Sequence, residues 1–72
     1  MKEEMVEVAG RVVDKQRGAS FKVKVDTTEH IVLAQLSGKM RRNRIRVLIG
    51  DQVDVEVSPY DLSKGRIIYR HK

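Results

Sequence analysis

The sequence predicts an all-β protein: one small barrel of five strands, with a short helix between the third and the fourth strand. Apolar and polar residues alternate with a period of two over most of the 72 residues, which is typical of half-buried strands. Turn-forming residues separate the alternating runs, and only the segment 37–43 resists a strand assignment. A chain of this length forms one domain, so we expect a single domain over residues 1–72, with residues 1–4 as a flexible tail.

The first three strands are predicted in the first half of the sequence. The first contains Gly10, and a glycine inside a strand often marks a sharp bend, as at the corner of a barrel. The second is the alternating run from Phe21 to Val25. The third, from His30 to Leu36, is more continuously apolar, so its inward face is ambiguous and we favour the even-numbered residues. The predicted core-facing residues of these strands are Val6, Val8, Val12, Phe21, Val23, Val25, Val32, Ala34 and Leu36.

The helix is predicted between Ser37 and Asn43, because Ser37 is a typical N-cap residue and Leu36 and Met40 are spaced to pack across it. One or two helical turns fit this segment.

The last two strands follow the helix. Gln52 to Val57 alternates cleanly, with its three valines toward the core, and "SPYDLSKG" links it to a last strand from Gly65 to Arg70. The order of three strands, a helix and two strands is the layout of the OB-fold, a five-stranded Greek-key barrel that often binds oligonucleotides. An SH3-like small barrel is the main alternative.

The net charge of +5 lies entirely in the second half of the chain. Residues 1–36 hold six Lys and Arg against six Asp and Glu, whereas residues 37–72 hold nine against four. One-sided positive charge is typical of nucleic-acid binders. An anionic membrane surface would also attract it, but helices that lie on membranes need a large apolar face, and the basic run at residues 39–46 has too little of one at helical spacing. The start "MKEEM" is not a signal peptide, and without cysteine there is no disulfide or thiolate metal site.

The charge is densest in "KMRRNRIR", residues 39–46, where five of eight residues are cationic. Such a run is either a solvated face or a polyanion-binding site. If the chain is extended after Asn43, alternate arginines form a ridge about 7 Å apart, while Ile45, Val47 and Ile49 face the core. Arginine binds phosphate oxygens bidentately, which favours RNA contact. The predicted RNA-binding residues of this run are Lys39, Arg41, Arg42, Arg44 and Arg46.

The three aromatic residues indicate which kind of RNA is bound. Phe21 alternates with valines and is predicted to be core, while Tyr60 lies in a loop, where it either packs or offers its ring or hydroxyl to RNA. Binders of single strands stack bases on several exposed aromatic rings. We therefore expect recognition of phosphates, 2′-hydroxyls and the shape of a folded RNA. A cold-shock-like RNA chaperone of the same fold would need more aromatics.

The sequence argues against an enzyme. "LAQLSGKM" resembles a phosphate-binding loop only briefly, because the motif needs glycine at Leu33 and Ser or Thr at Met40. His30 and His71 are not in metal-ligand spacing and are expected to be exposed. Asp61 is interpreted as ordering its loop through an ion pair with Lys64 or Arg66. We expect no catalytic residues, no cofactor and no metal.

The segment "SGKMRRNRIRVLIGDQVDVEVSPYDLSKGRIIYR" resembles bacterial translation initiation factor one and its plastid relatives. Two blocks carry the resemblance: "SGKMR" at residues 37–41, and "SPYDL" at 58–62 followed by Gly65, Arg66 and Ile67. The resemblance extends more loosely back through Gly10 and Phe21. It adds Lys64 and Arg66 as further candidate RNA-binding residues.

The resemblance implies an OB-fold monomer without enzymatic activity, located in the cytoplasm or, for a plastid relative, in the stroma. Such a factor binds the small ribosomal subunit near the decoding region of its RNA, at the site of the incoming aminoacyl-tRNA. It acts with two other initiation factors and the initiator tRNA. A protein-interaction module whose basic face docks an acidic partner stays open as the alternative.

The first half departs from the family pattern in two loops. Relatives carry a Leu-Pro-Asn-like loop before the phenylalanine, where this chain has residues 15–20, "KQRGAS". Relatives also join strands two and three by a tight Asn-Gly turn, whereas this chain has "DTTEH". Both residues of a type I′ turn need positive φ, which threonine and glutamate resist, so we expect a longer loop.

Overall fold

The computed structural model describes residues 4–18 and 20–71; the predicted tail lies outside this range except for Glu4, which is exposed. The secondary structure consists of five strands and one helix in the predicted order. Their bounds are β1 Val6–Lys15, β2 Ser20–Val25, β3 Ile31–Leu36, α1 Gly38–Arg42, β4 Gln52–Ser58 and β5 Asp61–His71. No helix in the described part of the chain is long and apolar enough to span a membrane.

The strands close into a barrel in the order β1-β2-β3-β5-β4. All neighbouring strands are antiparallel except β3 and β5, which are parallel. β1 closes the barrel because it pairs with both β2 and β4. Gly10 lies where the two pairings overlap, opposite both Val25 and Val53. A Cβ atom at Gly10 would lie 2.6 Å from the Lys24 carbonyl oxygen, so the predicted corner glycine permits a close backbone approach.

The core is the inner face of the barrel, and the predicted alternation is confirmed for β2, β3 and β4. Its valines come from every strand but β5, which contributes Ile67. Three predicted core residues of these strands lie nearer the surface: Val8 and Leu36 are half-buried, and Val6 is 43% exposed. The buried apolar residues are Val12, Phe21, Val23, Val25, Val32, Ala34, Met40, Val47, Val53, Val55, Val57 and Ile67.

One connection between strands is shorter than predicted, and a second is the longer loop that the sequence predicts. β5 begins at Asp61 rather than Gly65, so only Pro59 and Tyr60 separate it from β4. The connection between β2 and β3 is the expected longer loop, residues 26–30, and Glu29 takes a positive φ of 58° there. The Glu29 amide donates to the Val25 carbonyl at 2.9 Å, which closes the loop.

Candidate nucleic-acid interface

The short helix α1 is attached to the barrel at its start and through one buried side chain. At its start the Ser37 side chain accepts a hydrogen bond from the Met40 amide at 3.2 Å, and the Ser37 amide donates to the Ile67 carbonyl of β5 at 3.0 Å. Met40 is only 5% exposed and fixes one side of the helix against the core. The remaining long side chains, Lys39, Arg41 and Arg42, are exposed.

The helix ends in a Schellman motif. Arg44 has a φ of 55°, and its amide donates to the Arg41 carbonyl at 3.1 Å, while the Ile45 amide reaches back to the Met40 carbonyl at 3.0 Å. Ile45 packs against the buried core to which Met40 belongs, and both residues line the same cavity beside β5; an apolar contact at these two positions usually accompanies this motif. The chain therefore reverses direction at Arg44.

This reversal makes the predicted extended ridge of arginines wrong. Strand-like alternation after Asn43 requires negative φ at Arg44, and the left-handed turn breaks it. Val47 is buried and Ile45 half-buried as predicted, but Ile49 is 62% exposed instead of facing the core. Its neighbour Leu48 is also exposed.

The turn gathers the five cationic residues of the run on α1 and on the loop that follows it. All five are exposed. We call this group the arginine cluster; its members are Lys39, Arg41, Arg42, Arg44 and Arg46. The carbonyl of Arg46 accepts a hydrogen bond from the Arg70 guanidinium, which ties the loop to the end of β5.

The end of β5 borders the arginine cluster and was not assigned to the site by sequence reasoning. Tyr69 is 57% exposed, and its ring meets that of His71 edge-on, with centroids 4.8 Å apart. His71 in turn lies 3.0 Å from the Asp54 carboxylate. Together with Met40 and Ile45, residues 69–71 line an open cavity of about 420 Å³. The signal that could have found them is an aromatic residue beside a basic one in the alternation of the last strand.

Lys64 and Arg66 lie on a different surface, the outer wall of the barrel. Both are exposed, and they pair in register with Leu33 and Gln35 of β3. Arg66 directly precedes Ile67, whose carbonyl holds the start of α1, so it is the nearer of the two to the helix along β5.

Asp61 is ordered by hydrogen bonds with Ser63, not by the predicted ion pair with Lys64 or Arg66. Its carboxylate accepts from the Ser63 hydroxyl at 2.5 Å and from the Ser63 amide at 3.1 Å. These bonds, with a smaller contribution from the charge of Lys64, hold the pKa of Asp61 below its ordinary value. Asp61 is exposed, and its role in the loop is local.

Two exposed residues complete the comparison with the predicted site. Tyr60 is 85% exposed, so its ring does not pack into the loop. The His30 ring nitrogen lies 3.1 Å from the Leu62 carbonyl oxygen and joins the β2–β3 loop to β5. Within residues 4–18 and 20–71 no group of three or more His, Asp or Glu side chains could hold a metal ion.

The closed five-stranded barrel with one helix between β3 and β4, carrying a cationic surface on that helix, defines a protein of the OB-fold class. The model of the family "Translation initiation factor 1A / IF-1" matches residues 1–72. The chain therefore belongs to this family of translation initiation factors.

Solved structures agree with the family assignment and with the fold. The bacterial translation initiation factor one from the Wolbachia endosymbiont strain TRS of Brugia malayi is 48% identical, with a TM-score of 0.78; the match covers 94% of this chain and 79% of that one. YjeQ from Thermotoga maritima is 24% identical with a TM-score of 0.75, over 93% of this chain and 23% of that one. YloQ, a circularly permuted GTPase, is 20% identical with a TM-score of 0.71, over 96% and 23%. The last two likenesses show the fold alone.

Proposed function

We propose that this initiation factor binds the small ribosomal subunit at the decoding site, where aminoacyl-tRNA enters, through the phosphates of ribosomal RNA. There it assists the other initiation factors and the selection of the initiator tRNA. The observation that carries the proposal is the arginine cluster, five exposed cations brought together by one capped helix and the turn that ends it.

The charges of the cluster are available to an external anion. In the described part of the chain Lys24 forms an ion pair with Glu29, and the His71 ring contacts the Asp54 carboxylate. Neither contact uses a member of the cluster. Like charges held this close repel one another in the free protein. Phosphate oxygens relieve that repulsion and accept the paired N–H groups of each guanidinium.

The aromatic residues support contact with the backbone of a folded RNA rather than with unstacked bases. Phe21 is 4% exposed and cannot stack on a base. Tyr60 and Tyr69 are exposed but belong to the β4–β5 turn and to the far end of β5, so they form no continuous platform of the kind that binders of single strands use. This distribution disfavours a cold-shock-like chaperone.

Further parts of the proposal follow from the family and are not required by the fold. The protein acts as a monomeric single domain in the cytoplasm or the plastid stroma, without catalytic activity, and Lys64 and Arg66 make weaker contacts to the same RNA. Its further partners on the subunit are a neighbouring ribosomal protein and the other initiation factors.

The test is a series of alanine variants at Arg41, Arg42, Arg44 and Arg46, with Lys24→Ala as the matched control. We expect each arginine variant to keep its melting temperature, because exposed cations contribute little to stability. Each should weaken binding to purified small subunits by about 1–3 kcal/mol, the value of a charge-assisted contact. Lysine at the same positions should restore part of the loss, since it keeps the charge but not the bidentate geometry.

Two results would refute the proposal. Arginine variants that melt early but bind normally would make the cluster structural. Binding that survives nuclease digestion of the subunit RNA would favour the protein-interaction alternative, in which carboxylates replace phosphates. Lys24 is exposed, pairs with Glu29 and lies outside the cluster, so loss of binding in its control variant would show that general charge, not this surface, is responsible.

A further inference from the structure

One end of the barrel is open and holds an apolar cavity of about 320 Å³, which we call the mouth cavity. Its floor includes the buried residues Val32 and Val57, and its rim includes Val6 and Leu62, which are 43% and 51% exposed. Leu62 lies near the start of β5, whereas the arginine cluster borders the far end of that strand. The mouth cavity and the arginine cluster therefore lie at opposite ends of β5.

The mouth cavity is preformed, because hydrogen bonds hold the loop between β2 and β3 at its edge. The Asp26 amide donates to the Ala9 carbonyl of β1 at 3.0 Å, and the His30 ring nitrogen lies 3.1 Å from the Leu62 carbonyl oxygen of β5. The loop is thus joined to both of these strands. Binding there costs little ordering of the backbone, and the mouths of barrels are frequent places for binding sites.

The segments that form the mouth cavity are acidic, although the protein has a net charge of +5. Residues 4–8, 25–32 and 57–62 contain no Lys or Arg. Their five acidic residues, which give them a formal charge of −5, are Glu4, Glu7, Asp26, Glu29 and Asp61. Glu29 pairs with Lys24, but Glu4, Glu7 and Asp61 form no ion pair with another described residue. The surroundings of the cavity are therefore negatively charged.

Negative charge around an apolar cavity selects the chemistry of its occupant. The phosphates of RNA and of lipids are repelled, and so are the carboxylates of an acidic protein. A metal ion or a polyamine is attracted to the acids, but it has no apolar surface to place against valines. An aliphatic side chain between lysines or arginines satisfies both features, because it fills the cavity while its neighbours meet the carboxylates. A second copy of this chain carries the same net charge of +5 and is repelled as a whole.

We propose that the mouth cavity binds an aliphatic side chain that is flanked by lysine or arginine in a segment of a partner protein. A volume of about 320 Å³ lies at the low end of the range for ligand sites, which suits one side chain better than a cofactor. The proposal goes beyond the proposed function and does not depend on it. Because the cavity and the arginine cluster lie at opposite ends of β5, the partner and ribosomal RNA can bind at the same time.

The first test titrates the isolated protein with short synthetic peptides and follows its methyl groups by NMR. The peptide Lys-Lys-Leu-Lys-Lys should shift the methyl signals of Val8, Val57 and Leu62, which line the cavity, in a saturable way. Two matched peptides should not: Lys-Lys-Ser-Lys-Lys lacks the aliphatic side chain, and Glu-Glu-Leu-Glu-Glu reverses the charge. Absence of shifts with the basic leucine peptide, or equal shifts with all three peptides, would overturn the proposal.

A pair of variants tests whether the peptide enters this cavity. Leu62→Lys removes an apolar wall and adds a positive charge to the rim, so it should weaken binding of the basic leucine peptide at least about tenfold. Leu33→Lys is the matched control, because Leu33 is 42% exposed and lies outside the cavity; its effect should stay below about twofold. Both variants should keep their melting temperature, and equal losses would contradict binding in the cavity.

A photo-crosslinking benzoyl-phenylalanine at Thr27 identifies the partner. Thr27 is exposed and lines the cavity. On small subunits assembled with the other initiation factors and initiator tRNA, we expect an adduct to a protein segment in which lysine or arginine adjoins an aliphatic residue. An adduct to ribosomal RNA, to a second copy of this chain or to its own residues 1–3 would overturn the proposal.

A second cross-linker at Arg42 separates this proposal from the proposed function. If Arg42 reaches RNA and Thr27 forms no adduct, the mouth-cavity proposal fails and the proposed function stands. If neither position forms an adduct and subunit binding is absent, the proposed function fails, and the peptide titration of the isolated protein alone decides the mouth-cavity proposal.

Discussion

Among single residues, Phe21 and Tyr60 illustrate how burial separates the roles of two aromatic rings. Phe21 is 4% exposed in the core, and Tyr60 is 85% exposed. We predict that Phe21→Ala lowers the free energy of unfolding by about 3 kcal/mol or more, because a large ring is lost from a small core. Tyr60→Ala, the control, should change it by less than about 0.5 kcal/mol. Urea unfolding of both variants is the measurement, and a stable Phe21→Ala protein with lost RNA affinity would make Phe21 a stacking residue.

Arg44 combines a cationic side chain with a backbone conformation that suits glycine. Its φ of 55° is unfavourable for a residue with a Cβ atom. We predict that Arg44→Gly raises the free energy of unfolding by about 0.5–1 kcal/mol while weakening subunit binding as much as Arg44→Ala does. Thermal melts and binding isotherms at one salt concentration measure the two effects.

Glu29→Gly is the control for this separation, since Glu29 also has positive φ, 58°, but carries no proposed RNA contact. It should stabilise the protein without changing affinity. If Arg44→Gly loses stability and affinity together, the side chain of Arg44 supports the fold and is not free for RNA.

At the scale of elements, α1 depends on its N-cap more than a long helix would. Five residues are too few for an isolated helix in water, so caps and Met40 hold it. We predict that Ser37→Ala lowers stability by about 1 kcal/mol and weakens subunit binding modestly, because Lys39, Arg41 and Arg42 lose their fixed orientation. Ser37→Asn should retain both properties, as asparagine caps equally well. Amide exchange of the Met40 N–H, which bonds to Ser37, monitors the cap directly.

The strands and the helix were predictable because their signals are local. Alternating valines define β2 and β4 with one side each toward the core, and Ser37 marks the start of α1. The turn at Arg44 was not predictable in the same way, because arginine has no preference for positive φ. The Schellman hydrogen bonds and the packing of Ile45 against the core impose that conformation, and they exist only once the helix is packed.

The sequence predicted which residues form the arginine cluster, but not how they are arranged in space. Lys39 to Arg46 was identified from charge density, yet its geometry follows from the chain reversal rather than from strand alternation. Tyr69 and Arg70 were missed because they are distant in sequence from the cluster they border: Arg70 follows Arg46 by 24 positions. Only the closing of the barrel brings β5 beside that loop.

At the scale of the whole molecule, the charge distribution predicts how binding responds to salt. If about five cations contact phosphates, the slope of log K against log of monovalent salt should be on the order of −3 to −5, because each contact releases condensed counterions. Removing one contact, as in Arg42→Ala, should reduce the steepness by about one, while Lys24→Ala should leave it unchanged. A slope near zero for the unmodified protein would mean that binding is not electrostatic.

The double pairing of β1 has a consequence for the synthesis of the protein. Val6 pairs with Val57, so the first strand has one of its two neighbours only after β4 has been translated. The long segment between Val6 and Val57 must be closed into a loop before the contacts between β1 and β4 form. Proteins dominated by such non-local strand pairings fold slowly, in about milliseconds to seconds. Until β4 has been translated, β1 can pair only with β2. We therefore expect the barrel to close, and the domain to fold as a unit, only after nearly all of the chain has been translated.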